Sequence, residues 1–279
     1  TATISNTDIA ELDDLTTASA DQLTITVAST SATAAQLTTV AGATGLNVTA
    51  TAVETVTGTA TQMDALLAVE GSTGDKVNLD ADYAITINSG TATVTQANAY
   101  ATAAGVVTAT ISNTDIAELD DLTTASADQL TITVASTSAT AAQLTTVAGA
   151  TGLNVTATAV ETVTGTATQM DALLAVEGST GDKVNLDADY AITINSGTAT
   201  VTQANTYAAT NGVVTATISN TSVTDLLNLN TANTDLLTIT LASGTATAAN
   251  LITIAGKTGS TVDATAITGV TGTATEVNN

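Results

Sequence analysis

The chain repeats itself almost without change. The stretch TATISNTDIAELDDL opens at Thr1 and again at Thr108, and a diverged version, TATISNTSVTDLLNL, opens at Thr215. The spacing is 107 residues both times, and the first two copies differ at only four positions: Ala99/Thr206, Thr102/Ala209, Ala103/Thr210 and Ala104/Asn211. The chain thus divides into residues 1–107, a near-identical 108–214 and a shorter, diverged 215–279. Self-similarity this strong restricts the fold to an array in which each unit buries its apolar face on the next. Length then no longer converts into a number of separate cores.

A shorter period lies inside each copy. Alternating stretches at residues 1–5, 23–27, 46–51 and 77–82 place apolar and polar residues two apart, with many β-branched side chains. Each predicts a half-buried strand. A three-residue spacing follows in Ile9-Leu12-Leu15, Ala34-Leu37-Val40 and Ala60-Met63-Leu66. Thr or Ser precedes these runs as an N-cap would, and Gly42 and Gly71 stand where a C-cap would sit. They predict helices of two to three turns, or 3₁₀ turns. Further apolar stretches at 53–56 and 85–87 predict second short strands on a lateral face. The expectation is a repeat solenoid of about ten coils, four per full copy, opening near residues 1, 23, 46 and 77. A parallel β-sheet would form one face and short helices or 3₁₀ turns the opposite flank. The inward residues would be Leu23, Ile25, Val27, Leu46, Val48, Val77 and Leu79, meeting Leu12, Leu15, Leu37, Val40 and Met63.

The outward strand positions predict columns across neighbouring coils: Thr1, Thr24, Asn47, Asn78; then Thr3, Thr26, Thr49, Asp80; then Ser5, Ala28, Thr51, Asp82. Threonine is a natural residue for a solvated strand face. Flat Thr-x-Thr arrays also resemble those of ice-binding β-solenoids, but the Asn78-x-Asp80-x-Asp82 coil interrupts the hydroxyl lattice once per full copy.

The residue types present narrow the chemistry. The chain has no Cys, His, Pro, Trp or Phe, its only cations are Lys76, Lys183 and Lys257, and its aromatics are four Tyr. Without His or Cys it lacks a switch near neutral pH, a thiolate nucleophile, a disulfide and the common transition-metal ligands. We therefore expect no enzyme. A net charge of −23 repels nucleic acid phosphates and anionic membranes, and the short apolar runs predict no membrane insertion. Residues 1–4 show no basic stretch leading into an apolar one, so no signal peptide is read there.

The carboxylates favour hard cations with oxygen ligands. One group is Glu11, Asp13 and Asp14 on the first predicted helix. The other is Asp80 and Asp82, expected on one face of a strand, with Asp75 in the loop before it. Solubility of a threonine-rich array explains them without a ligand. Calcium is the one cofactor candidate, with Asp80, Asp82 and Asn78, and their repeats Asp187, Asp189 and Asn185, as its ligands. A catalytic carboxylate pair is disfavoured, since nothing aromatic nearby could stack a sugar ring. Gly71-Ser72-Thr73-Gly74-Asp75-Lys76 lacks phosphate-loop spacing and reads as a turn. Asn47-Val48-Thr49 is a glycosylation sequon inside a predicted strand. Tyr83 and Tyr100, repeated as Tyr190 and Tyr207, come nearest to an aromatic binding patch.

Richness in Thr, Ala, Gly and Asp, absent Cys, near-identical tandem copies and units such as Gly58-Thr59-Ala60-Thr61-Gln62-Met63 resemble the giant repetitive surface proteins of bacteria: adhesins, S-layer-like proteins and surface filaments. The resemblance implies an extracellular, cell-surface or secreted location and a structural role as stalk, coat or filament element. It implies partners that are neighbouring repeats or copies of the chain stacked end to end. The alternative it leaves open is a calcium-dependent adhesin module contacting a glycan or another cell. No terminal cap with a polar outer face is read in the sequence, and the expectation is a stretch of a longer array or a subunit stacking on neighbours.

Overall fold

The computed structural model describes residues 1–70, 76–177, 183–210 and 212–277. Gly71, Asp75 and the rest of the loop-like motif before Lys76 lie outside them. The chain forms two compact units, residues 1–133 with 147–155, and 134–146 with 156–279.

The first unit runs β1 (Ala2–Thr3), α1 (Ile9–Leu12), β2 (Leu23–Thr26), β3 (Ser31–Thr33), α2 (Ala34–Gly42), β4 (Val48–Ala50), β5 (Thr55–Thr59), α3 (Ala60–Glu70), β6 (Val77–Leu79), β7 (Ala84–Ser89), α4 (Val94–Ala103), β8 (Val107–Thr110), α5 (Ile116–Leu119) and β9 (Gln129–Thr131). The second contains β10 (Ser138–Thr140), β12 (Thr162–Thr166), α7 (Ala167–Glu177), β13 (Val184–Leu186), β14 (Ala191–Ser196), α8 (Val201–Ala208), β15 (Val214–Thr217), α9 (Val223–Leu226), β16 (Leu236–Thr238), β17 (Gly244–Thr247), α10 (Ala248–Ala255), β18 (Ile267–Thr271) and α11 (Ala274–Val277). Between β10 and β12 come α6 (Ala141–Gly149) and β11 (Val155–Ala157). This is an α/β chain of parallel sheets and short helices.

Pairing is parallel along β1–β2–β4–β6 and within both five-stranded sheets, and the lateral pairings of the second copy repeat those of the first. Ala32 pairs with Val56 and Val56 with Ile85, as Ala139 pairs with Val163 and Val163 with Ile192. The opening strands β1, β2, β4 and β6 form one sheet; the expected lateral strands β5 and β7 lie in another, together with β3, a strand not expected from the sequence. The expected single sheet of all opening strands is not what forms. The opening strand of the second copy, β8, pairs with lateral β7 instead of β6, and β15 likewise pairs with β14. Only residues 104–106 separate α4 from β8, too few to reach the far edge of β6. The return is pinned by Gly105 N–H to Tyr83 O (2.9 Å) and Ile85 N–H to Val106 O (2.9 Å). A Cβ at Gly105 would sit 2.5 Å from Asp82 O, so only glycine permits this approach. Each copy therefore starts on the lateral sheet of the one before it.

Register also differs from the expected columns. Thr3 pairs with Thr24, Thr26 with Thr49, and Thr49 with Asn78, so the columns slip by two residues at β1–β2 and again at β4–β6. An unbroken threonine row does occur on the lateral sheet, where Thr33, Thr57, Thr86 and Thr108 are successive partners.

Helix starts follow the sequence closely. Thr33 and Thr93 cap α2 and α4 through their hydroxyls, and Gln36 and Gln96 return the bond to the cap amide. These reciprocal capping boxes satisfy amides that a helix leaves open. The stops differ. Gly42 is the last residue of α2, and Ala43 is the C-cap in right-handed conformation, so no left-handed glycine ends this helix. The expected two to three turns at Ile9 shrink to the single turn of α1.

The core contains Leu12, Ile25, Val27, Leu37, Val40, Val48, Met63, Val77 and Leu79 as expected. Leu46 is only half-buried, because β4 begins two residues after it. Leu15 and Leu23 are half-buried, whereas their repeats Leu122 and Leu130 are buried. The largest buried side chains are Tyr83, Tyr100, Tyr190 and Tyr207. They fill the core and do not form a surface patch.

Burial is the first cause that pushes all four phenols well above the ordinary tyrosine range, with neighbouring carboxylates adding to it. A phenol whose folded pKa is raised contributes stability that is complete below its unfolded value of about 10 and is lost as pH rises beyond it. Phenolate absorbance should therefore appear above pH ~10 together with the loss of circular dichroism, as one transition. Gradual ionisation near pH ~10 with an unchanged dichroism spectrum would contradict this burial.

Candidate functional site

The candidate carboxylates lie at the corner where β6 gives way to β7. The strand ends at Leu79, and Asp80 turns its carboxylate onto the next amide, with Ala81 N–H donating to Asp80 Oδ1 at 2.7 Å. The second copy repeats this with Ala188 N–H and Asp187 Oδ1 at 2.6 Å. A carboxylate that binds the adjacent backbone competes with the strand ladder. Ala81 and Asp82 accordingly form a turn, and Tyr83 swings inward. The expectation that Asp80 and Asp82 share a strand face with Asn78 is corrected. Asn78 and Asn185 stay on exposed strand positions, while Asp80, Asp82, Asp187 and Asp189 stand exposed on the turn.

In the second copy this corner forms a hollow of about 300 Å³ lined by Glu161, Asp187, Asp189 and Tyr190. Glu161 was not among the expected ligands. Among the described residues, no group of three or more acidic side chains stands close enough to hold a metal ion. The phenol oxygens of Tyr83 and Tyr190 are buried, and the carboxylates of Glu70 and Glu177 act on them, Glu177 with a hydrogen-bonding contribution at Tyr190. On α1, Glu11 accepts from Asn6 Nδ2 at 2.6 Å and Asp13 is the C-cap, so these acids act within their own turn.

Several side-chain hydrogen bonds join elements far apart in the sequence. Tyr100 Oη donates to Asp64 Oδ1 (2.7 Å) and approaches Ala60 O (3.0 Å), and Gln96 Nε2 donates to Asp64 Oδ2 (2.7 Å). Tyr207, Gln203 and Asp171 repeat the cluster at 2.7 and 2.8 Å. Asp128, only 4% exposed, accepts from Val107 N–H at 2.8 Å with one oxygen and from Ala125 N–H at 2.8 Å with the other. Asp235 does the same for Val214 and Ala232, at 2.9 and 2.8 Å. Asn98 clasps the next coil from both ends of its amide, donating to Asp121 O and accepting from Thr123 N–H, each at 2.8 Å. Because Asn98 holds a backbone oxygen, the change of Asp121 to Asn228 in the third copy leaves the equivalent bond from Asn205 in place at 2.9 Å.

None of these joints was read from composition or charge. The signal available was survival in the diverged third copy, where Asp235, Thr258 and Gly259 persist amid altered neighbours. Thr258, like Thr151 and Thr44, bonds with its hydroxyl to both the amide and the carbonyl of a strand residue in the preceding coil.

Comparison with protein-family models, curated proteins and solved structures finds no match for this chain. No helix among the described residues is long and apolar enough to cross a membrane.

Proposed function

We propose that this chain is a structural segment of a bacterial surface protein, a solenoid of about ten coils serving as stalk, coat or filament element outside the cell. The observation that carries the reading is where the polar chemistry is spent. The hydrogen-bonding groups at buried Asp128 and Tyr100 and at half-buried Asn98 recur 107 residues later at Asp235, Tyr207 and Asn205, and each set joins adjacent coils. A binding or catalytic protein concentrates such groups in one hollow. Here they are distributed along the array, which suits a load-bearing or spacing role. Antibodies raised against the purified chain should label intact cells of the organism that makes it. Labelling only after the cells are made permeable would overturn the surface assignment.

A second reading, a calcium-dependent adhesin module, rests on the corner hollow whose lining includes Asp187, Asp189 and Glu161, although these three do not stand close enough to hold an ion by themselves. Calcium would there use Asp80, Asp82 and Asn78 in the first copy and Asp187, Asp189 and Asn185 in the second. The leading reading expects the melting temperature to stay within about 1 °C when calcium is chelated, since the joints between coils need no ion. A ligand present at 100 times its dissociation constant adds about 2.7 kcal/mol, which would move the melting point by several degrees. A fall of that size on chelation would promote the second reading.

A further inference from the structure

Three stretches carry the Asn-x-Thr/Ser pattern of an acceptor for an N-linked sugar: Asn47-Val48-Thr49, its repeat Asn154-Val155-Thr156, and Asn220-Thr221-Ser222. The last arises because Ser222 stands where the second copy has Asp115. The sequence leaves the three equal, and the fold separates them. An acceptor amide must be free of other bonds and open to solvent. The hydroxyl two residues on must face the same way, so that one enzyme can hold both groups.

Asn220 meets neither condition. It is half-buried, its Oδ1 accepts from Val201 N–H at 3.0 Å, and its Nδ2 donates to Asp225 Oδ2 at 3.4 Å. The Ser222 hydroxyl is also engaged, as the N-cap of α9 that accepts from Asp225 N–H at 3.1 Å. Asn47 meets both conditions. It stands one residue before β4 and is exposed, with Val48 buried and Thr49 exposed. Extended backbone turns residues two apart to the same side, so the amide and the hydroxyl share the outer face. Neither side chain is held by a hydrogen bond among the described residues. The register partners of Thr49 are Thr26 and Asn78, both short and exposed, so they leave the approach open. Asn154, Val155 and Thr156 repeat the exposed, buried, exposed pattern. In the third copy Thr261 and Asp263 occupy these positions, and the acceptor pattern is lost.

We infer that Asn47 and Asn154 are sites of N-linked glycosylation and that Asn220 is not. Each transfer forms a bond from the asparagine Nδ2 to the anomeric carbon of a sugar. It breaks that carbon's bond to a phosphate oxygen of a lipid- or nucleotide-linked donor. The phosphate leaves with the electron pair, and one amide proton passes to a base on the transferring enzyme. The attached glycan is bulky and hydrated, and each full copy carries one on its opening-strand face. Glycosylation needs only a donor and a transferase, so it stands or falls apart from the stalk, coat or filament role.

Cleavage after Lys76, Lys183 and Lys257 puts Asn47, Asn154 and Asn220 on different fragments. Mass spectrometry of these fragments, from protein purified from the cells that make it, should find sugar on Asn47 and on Asn154 and none on Asn220. Asn47→Gln should abolish the modification of its own fragment and leave that at Asn154 in place. The variant should melt like the parent, because it changes an exposed side chain that holds nothing. Bare Asn47 and Asn154 would overturn the inference. Equal occupancy of Asn220 would also overturn it, because a free amide and hydroxyl would then not select the site. Sugar that persists in Asn47→Gln would do the same by placing the attachment on a hydroxyl.

Discussion

Replacing Tyr100 with alanine should cost about 4 kcal/mol in the stability of the unit that contains it, the range for deleting a large buried aromatic. The ring is fully buried, and its hydroxyl ties α4 to Asp64 and Ala60 of the preceding coil. Tyr100→Phe separates the two contributions. It keeps the packing and removes a bond to a carboxylate, for which about 1 kcal/mol is expected because Asp64 is exposed and water can replace the phenol. Repetition adds a sharper requirement. Tyr207 makes the same two bonds at the same distances, so Tyr207→Ala should cost the same within about 0.5 kcal/mol, and the two changes should add. Urea unfolding followed separately in the two units checks this. A cost below about 1.5 kcal/mol for either alanine variant would mean the rings are not core residues.

Asp128→Ala should cost about 3 kcal/mol. It would strand two amides, Val107 N–H and Ala125 N–H, one of them on a residue with no solvent exposure. Each buried donor left unsatisfied costs about 1–3 kcal/mol. The built-in control is Asp21, the same residue one copy earlier. It is exposed and holds only Ala18 N–H, at 2.9 Å. Asp21→Ala should therefore cost under about 1 kcal/mol. Thermal unfolding of both variants decides the matter. Equal losses at the two positions would show that the joint to the preceding coil contributes nothing.

Much of the fold was legible because the period constrains it. Alternation at residues 23–27 and over the first half of 77–82 identified strands, and threonine before the runs at Ala34 and Ala60 identified helix starts, whereas the run at Ile9 is capped by Asp8. Both signals are local and act within a few residues. What escaped was non-local. The crossing of β8 onto the lateral sheet depends on the three residues between α4 and β8 and on the bare backbone of Gly105, which no periodicity reports. Asp80 looked like a strand residue because it continues the alternation of Asn78, yet its carboxylate caps the following amide and ends the strand. The candidate calcium ligands were chosen on that strand geometry, and Glu161, 26 residues before Asp187, reaches the same hollow only through folding. Tyr83 and Tyr100 come nearest to an aromatic patch in the sequence, yet both are buried. Their rarity reflects a core that needs only a few large side chains among many small ones.

The coil-array account is tested most directly by adding units. Inserting further copies of residues 1–107 between Val107 and Thr108 should lengthen the particle by roughly 20 Å per copy, about four strand layers at ~4.8 Å each, at constant cross-section. Small-angle scattering on chains with none, two and four added copies measures both dimensions. The account predicts a linear rise of about 80 Å with four copies and an unchanged cross-sectional radius. Growth in all three dimensions, with a radius rising by the ~0.38 power of chain length that compact domains follow, would contradict it.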